Sequence, residues 1–305
     1  KYYDKVIRDH EDEGLGKITA REVFEHSSNV GTAKIIYENY KDNPRRYVDR
    51  LYSMKINKPL DLQIKGEGKP VIRAPGDKLW SGISLPMMSH GYEVQMTPLQ
   101  ILTFYNAVAN GGKMVKPRFV TEVRDGNRVV KSFDTEVITN AICSRSTIRK
   151  AQSLLEGVVE EGTAKNLKNS NYKIAGKTGT AQIANARHGY RSGARISYQA
   201  SFVGYFPADD PLYSCIVVVN APSNWVYYGN VVSGPVFKEI ADKVYASSFY
   251  RDLHALNPEG DEKVTLREAS SEVGKNDLTV AGGVMPNVVG MGLRDAIYML
   301  ENSGL

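Results

Sequence analysis

Cysteine is nearly absent from the chain, with only Cys143 and Cys215 in 305 residues. So few cysteines exclude a disulfide-dense scaffold, leave the redox compartment open, and leave open whether the two ever meet. Cys215 lies in the apolar run YSCIVVV and reads as a small buried hydrophobe. Metal-ligand patterns are missing too. His10, His26, His90, His188 and His254 stand apart from one another, with no His-x-His, His-Glu-x-x-His or Cys-x-x-Cys. No metal site and no cofactor is expected. The net charge of +5 is spread along the sequence and does not gather into one basic block. Aromatic and basic residues do not interleave as a base-stacking surface requires, so no nucleic-acid partner is expected. Long apolar runs are also lacking. The uncharged stretch Tyr213–Phe237 is broken by Asn220, Pro222, Ser223, Asn224, Gly229 and Gly234 into a strand, a loop and a helix start. The opening KYYDKVIRDH has no apolar core of a signal peptide or anchor, so the protein is either soluble or has lost its N-terminus.

What is present, 42% apolar and 24% charged residues, is enough for one large core with a small appendage. Thr19-Ala-Arg-Glu22 is a capping box before VFEH, and Ser28 or Asn29 can cap a second helix, VGTAKIIYENY. Two helices then meet at Ser27-Ser28-Asn29. The following stretch of about sixty residues, up to Thr97, is rich in Gly and Pro and reads as irregular. Thr97 and Pro98 then open a helix, ILTFYNAVAN, that stops at Gly111-Gly112. Ile148, Ala151, Leu154, Leu155, Val158 and Val159 form the core stripe of a helix over 146–161. YKIAGKTGTAQ is a strand, ISYQASFVGYF and LYSCIVVVN pair as an antiparallel hairpin around PADDP, and SGPVFKEIADKVYASSF is a closing helix. This order predicts an α+β fold, an antiparallel sheet backed by helices.

From Asn257 to Gly283 the chain turns polar, as a linker does, and MPNVVGMGLRDAIYMLENSGL then supplies a strand, a turn and a helix too small to bury their own apolar face. The expected organisation is a main domain over 1–256, a linker over 257–283 and a partial module over 284–305.

The strand YKIAGKTGTAQ breaks its own pattern, because Lys177, Thr178, Gly179 and Thr180 neither alternate in polarity nor stay apolar. A cation and two hydroxyls around a glycine can line one wall of a cleft and hold an extended ligand that ends in a carboxylate. They fit equally an exposed edge strand on which the lysine deters pairing. Ser27-Ser28-Asn29 taken alone is a helix cap. Together, however, Ser-x-Asn at a helix junction and Lys-Thr-Gly-Thr far downstream on a strand form a recognisable order. The chain resembles the class B, septal-type penicillin-binding proteins, serine D,D-transpeptidases of peptidoglycan synthesis whose motifs are S-x-x-K, S-x-N and K-T-G. EHSSNVGTAKI, QMTPLQILTFYNAVANGG, VVEEGTAKN, AGKTGTAQ, SFVGYFPADDPLYSCIVVV and YYGNVVSGPVFKEIA carry the resemblance across nearly the whole chain, and the last 21 residues resemble the first half of a PASTA module.

The resemblance implies a transpeptidase or β-lactamase-like α+β fold, incomplete at its N-terminus, and no cofactor. It implies that Ser27 passes a proton between the nucleophile and the leaving amine, beside Lys177, and that Asn29 holds the substrate's peptide amide. Thr178 and Thr180 would bind the terminal carboxylate of a D-Ala-D-Ala stem peptide or of a β-lactam, with Gly179 letting the ligand lie close. The Thr180 main-chain N–H would serve as an oxyanion donor. It further implies work outside the cytoplasmic membrane, an N-terminal membrane helix and cell-division partners. S-S-N in place of S-D-N, and the lack of an E-x-x-L-N glutamate, argue against a class A β-lactamase. A D,D-carboxypeptidase or a penicillin-hydrolysing relative fits the same motifs.

One element of the pattern is missing. The 26 residues before Ser27 contain no serine, and Ser170-Asn171-Tyr172-Lys173 sits at a loop entering a strand, where residues three apart face opposite ways. A nucleophile and its lysine must instead lie side by side, one turn apart on a helix. The nucleophilic serine is therefore expected in an N-terminal fragment not contained in this chain. The other reading is a non-catalytic relative that binds cell-wall precursors or division partners.

Overall fold

The computed structural model describes residues 1–3, 5–10, 14–183, 197–223 and 226–256, with backbone alone for 248–256. The chain divides into two units, Lys1–Ser248 and Phe249–Leu305. The expected linker and PASTA segment lie outside the described residues.

In the first unit, helix α1 (Ala20–Glu25) starts with the capping box read from Thr19 and Glu22, and α2 (Asn29–Tyr40) is capped by the Ser28 hydroxyl. The stretch expected to be irregular is only partly so. It contains α3 (Pro44–Ser53), started by an Asn43 side-chain cap with Pro44 in the first turn, and it buries Val48. Those start signals were present in the sequence, but the Gly- and Pro-rich context around them hid a ten-residue helix. Strand β1 (Val71–Ile72), α4 (Ser84–Met88) and β2 (Val94–Gln95) complete that region, with Val48, Ile72, Ala74 and Met88 as its own small core.

Helix α5 (Pro98–Ala109) follows, opened by a second capping box at Thr97 and Gln100. Strands β3 (Met114–Val115) and β6 (Val137–Thr139) pair with each other, as do β4 (Glu122–Asp125) and β5 (Arg128–Ser132). Helix α6 (Arg145–Glu160) then leads to the central sheet of β7 (Ala175–Gln182), β8 (Tyr198–Phe206) and β9 (Tyr213–Asn220), in the order β7-β8-β9 and antiparallel throughout. Helix α7 (Gly229–Val232) and the long α8 (Gly234–Leu256) close the fold.

The register sorts the sheet's side chains. Ala175 pairs with Tyr205 and Lys177 with Val203, whereas Gly176, Thr178 and Thr180 pair with Gly204, Phe202 and Ala200. Because partners across a ladder share a face, Lys177 lies on the face of Ala175 and Tyr205, and the two threonines on the face of Phe202. The first face packs against Ala107 and Val108 of α5. On the second, Phe202 and Phe206 pack on Phe237 and Ala241 of α8. Val158 and Val159 of α6 join one cluster, Ile148 and Leu155 the other. Strand β7 is therefore an edge strand, well backed at Ala175 and Gly176 and opening to solvent from Lys177 onward. No helix of the described residues is long and apolar enough to cross a membrane.

Candidate active site

The junction between α1 and α2 explains Ser27-Ser28-Asn29. Ser27 has φ of 56°, and its N–H reaches the Phe24 carbonyl while that of Ser28 reaches the Val23 carbonyl. This paired pattern is the Schellman ending of a helix, in which the left-handed residue is usually glycine. Here it is a serine, exposed, with its hydroxyl in the cleft. Ser28, buried, donates to the Asp9 carboxylate at 2.9 Å while capping Gly31 N–H, and Asp9 also accepts from Val30 N–H at 3.0 Å. One serine thus ends α1, the next starts α2, and Asn29 occupies its first turn. The Asn29 amide lines the cleft and donates to the Arg8 carbonyl at 3.1 Å.

Across from this junction stands β7. Lys177 Nζ donates to Ser27 Oγ at 2.8 Å, spanning 150 residues of sequence, and lies 6.0 Å from the centre of the Phe24 ring. It reaches the Thr178 carbonyl and hydroxyl less closely, each at 3.4 Å. Burial lowers its pKa to about 8, so at neutral pH the lysine is still mainly charged and titrates just above it. The Thr178 hydroxyl also meets that of Thr163 at 3.0 Å. Thr180 Oγ1 accepts the main-chain N–H of Gly229 at 3.2 Å, and a side chain at Gly229 would collide with the Ser201 carbonyl oxygen. Gly179 has its own backbone against Gly229.

Ser27, Asn29, Thr178 and Thr180 line a cleft of about 580 Å³ whose far wall is aromatic, with Tyr198 and Tyr227 stacked at 3.9 Å and Tyr228 against His10 at 4.4 Å. A second cavity of about 710 Å³ shares Ser27, Asn29, Thr178 and Thr180 with the first and is lined further by Lys177, Gly179 and an apolar group that includes Phe24, Leu51, Ile56, Met88 and Ile101. Four of the six residues singled out from sequence line the first cleft, and all six, Lys177 and Gly179 included, line the second. Sequence reasoning missed Asp9, Thr163 and Gly229. Thr163 and Gly229 stand inside quoted family-like segments, but nothing local distinguishes a hydroxyl or glycine that touches the motif from one that does not. Ser170 lies in the loop before β7, as expected.

A family model described as the penicillin binding protein transpeptidase domain matches residues 1–242. The penicillin-binding protein PbpB of Mycolicibacterium smegmatis is 32% identical over 273 residues, 86% of this chain and 40% of its own length. Stage V sporulation protein D of Bacillus subtilis is 28% identical over 293 residues, 95% of this chain and 41% of its own. The chain thus spans about two fifths of the length of these curated relatives. Among solved structures, apo penicillin-binding protein 3 from Mycobacterium tuberculosis aligns with a TM-score of 0.68 at 27% identity, covering 79% of this chain and 54% of that one. Its complex with ampicillin aligns with a TM-score of 0.66 at 26% identity and the same coverage. With a model of the domain running from the first residue through the cleft into α8, and solved relatives sharing the α+β fold, the chain belongs to the class B penicillin-binding protein transpeptidase family.

Proposed function

We propose that this chain carries the substrate-binding part of a peptidoglycan D,D-transpeptidase, acylated on a serine that an upstream segment supplies. The observation that carries the reading is the Lys177–Ser27 hydrogen bond, which joins a half-buried cation to a hydroxyl across the cleft. A serine attacking the carbonyl of the penultimate D-Ala expels the terminal D-Ala as an amine that needs a proton. Ser27, held by Lys177, passes that proton from the nucleophile to the leaving amine, and an acceptor amine from a second stem peptide then attacks the ester and releases the serine.

The other residues follow from their contacts. Thr178 accepts from Lys177 and Thr180 from Gly229 N–H, and both hydroxyls face the terminal carboxylate, which Lys177 favours by its charge. Asn29 exchanges the Arg8 carbonyl for the substrate's peptide. Strand β7, an edge, offers its outer main-chain groups to an extended peptide, and the Thr180 N–H is the oxyanion donor, an interaction worth about 3–4 kcal/mol in the transition state. The apolar part of the second cavity, at Phe24, Leu51, Ile56, Met88 and Ile101, suits the apolar side of a helix bearing the nucleophile, directed at Lys177. β-Lactams, bound by the solved relative, enter here as carboxylate-bearing acylating agents. Extracytoplasmic action, an N-terminal membrane helix, division partners and a partial PASTA module at 284–305 belong to the same reading.

Intact-mass analysis after incubation with benzylpenicillin tests it, using this chain beside one extended upstream. One acyl adduct on the longer protein alone is expected. An adduct on the shorter chain places the nucleophile within it. No adduct on either favours the non-catalytic relative that binds cell-wall precursors.

A further inference from the structure

We infer that Thr163 is a positioning residue that turns Thr178 into a dedicated hydrogen-bond donor for the ligand carboxylate. The inference rests on the transpeptidase reading above and adds a residue to it.

The argument is one of counting protons. A threonine hydroxyl has one proton and two lone pairs. Around Thr178 Oγ1 stand Lys177 Nζ at 3.4 Å, which as an ammonium can only donate, and Thr163 Oγ1 at 3.0 Å, which can do either. If Thr178 donates to Thr163, its proton is spent inside the protein and a lone pair faces the cleft, where it repels a carboxylate. If Thr163 donates instead, both lone pairs of Thr178 are filled and its proton has only the cleft to point into. An arriving carboxylate selects the second arrangement, and the Thr163 proton completes the chain of donors that ends on the ligand. Each donor in such a chain polarises the next.

Thr163 is also held where it can do this. Its N–H donates to the Glu25 carbonyl at 3.1 Å, at the end of the same α1 that presents Ser27. Glu25 is itself 4% exposed and paired with Arg21 at 2.9 Å. Gly162 is buried against the Glu25 main chain so closely that any side chain there would collide with its carbonyl oxygen. The threonine is therefore fixed to one wall of the cleft by its backbone and to the other by its hydroxyl, and the contacts Glu25–Thr163–Thr178–Lys177–Ser27 close a ring around the site.

The test compares acylation of the protein carrying its upstream segment by benzylpenicillin and by its methyl ester, which lacks the carboxylate charge. Thr163→Val keeps the shape and removes the hydroxyl, and Thr163→Ser restores it. We expect Thr163→Val to lower the second-order acylation rate for the acid about tenfold, the loss of one hydrogen bond to a charged ligand. The ester rate should change little, and Thr163→Ser should lie near wild type. The acid-to-ester ratio is read within one preparation, so it is independent of how much protein is folded. A Thr163→Val ratio equal to that of wild type overturns the inference while leaving the transpeptidase reading intact. A wild-type protein that takes up neither compound overturns that reading, and the inference with it.

Discussion

The two walls of the cleft are built by different means. The β7 wall is a strand paired residue for residue with β8 over eight positions, with β9 beyond and the Phe202, Phe206 and Phe237 cluster beneath. Its order is distributed over many main-chain hydrogen bonds and one large core. The α1–α2 wall is a junction of two short helices, whose geometry depends on a few side-chain caps: Asp9 on Ser28 and Val30, Ser28 on Gly31, and a serine in the left-handed conformation at position 27. A wall of the first kind tolerates loss of any one side chain outside its core. One of the second kind does not, and the hydroxyl that meets Lys177 sits on it. The comparison teaches that the weak points of this site lie opposite the Lys-Thr-Gly motif and not within the sheet that carries it.

The largest effect is expected where the two walls touch. Lys177→Met should reduce penicillin acylation of the upstream-extended protein at least a hundredfold, the order of one lost transition-state donor. Yet the variant should melt no lower than wild type at neutral pH. Burial holds the folded-state pKa of Lys177 at about 8, below its ordinary 10.5. Below pH 8 both states carry the proton, and the folded protein bears the cost of partly desolvating the ammonium. Between those two values the unfolded state binds more protons, so stability rises with pH. Acylation should move the other way, falling as pH passes 8 and the ammonium is lost. Calorimetry across that range beside acylation rates checks both signs. A parallel fall in stability and acylation would show that Lys177 holds the walls together and is not a strained functional cation.

How much of this was legible beforehand follows the same division. The sheet, its hairpin, the two capping boxes and the core stripe of α6 were written in periodicity and start signals, which are local. The break at Lys177-Thr178-Gly179-Thr180 was legible because a strand with polar residues on both faces contradicts its own burial. The α1–α2 wall was legible as a cap only. Nothing local to Ser27 says that it takes φ of 56°, since the position calls for glycine and the sequence supplies none. Asp9 was invisible because its partners lie 19 and 21 residues away, and Thr163 because its hydroxyl meets Thr178 across 15 residues and a change of element. Helix α3 was lost to its surroundings, although Asn43 and Pro44 announced it.

A smaller effect sharpens the contrast between distributed and concentrated support. Asp9→Ala removes two acceptors from a half-buried junction, leaving Ser28 Oγ and Val30 N–H to find water, and should cost about 1–3 kcal/mol in urea unfolding. Gln199→Ala removes an exposed side-chain bond of 2.7 Å between β8 and Asn220 of β9, and should stay within about 0.5 kcal/mol. Equal losses in the two variants would break the comparison, because the sheet would then depend on single side chains as much as the junction does.

The smallest effect isolates the strain at Ser27 from its chemistry. Ser27→Ala and Ser27→Gly both delete the hydroxyl that meets Lys177, so both should lose acylation to the same degree. They differ in what the backbone must do. Alanine keeps a Cβ in the left-handed region, at a cost of roughly 1 kcal/mol, whereas glycine adopts that conformation freely at the end of a helix. Glycine also loses more conformational freedom on folding, which offsets part of the gain. The expected order is Ser27→Gly more stable than Ser27→Ala by a few tenths to about 1 kcal/mol, read from paired urea melts. If alanine proves the more stable of the two, the left-handed strain at position 27 is smaller than glycine's entropy cost, and the α1–α2 wall is less dependent on this residue than its caps suggest. If glycine does, a stable residue has been passed over at this position for one that places a hydroxyl 2.8 Å from the cleft lysine.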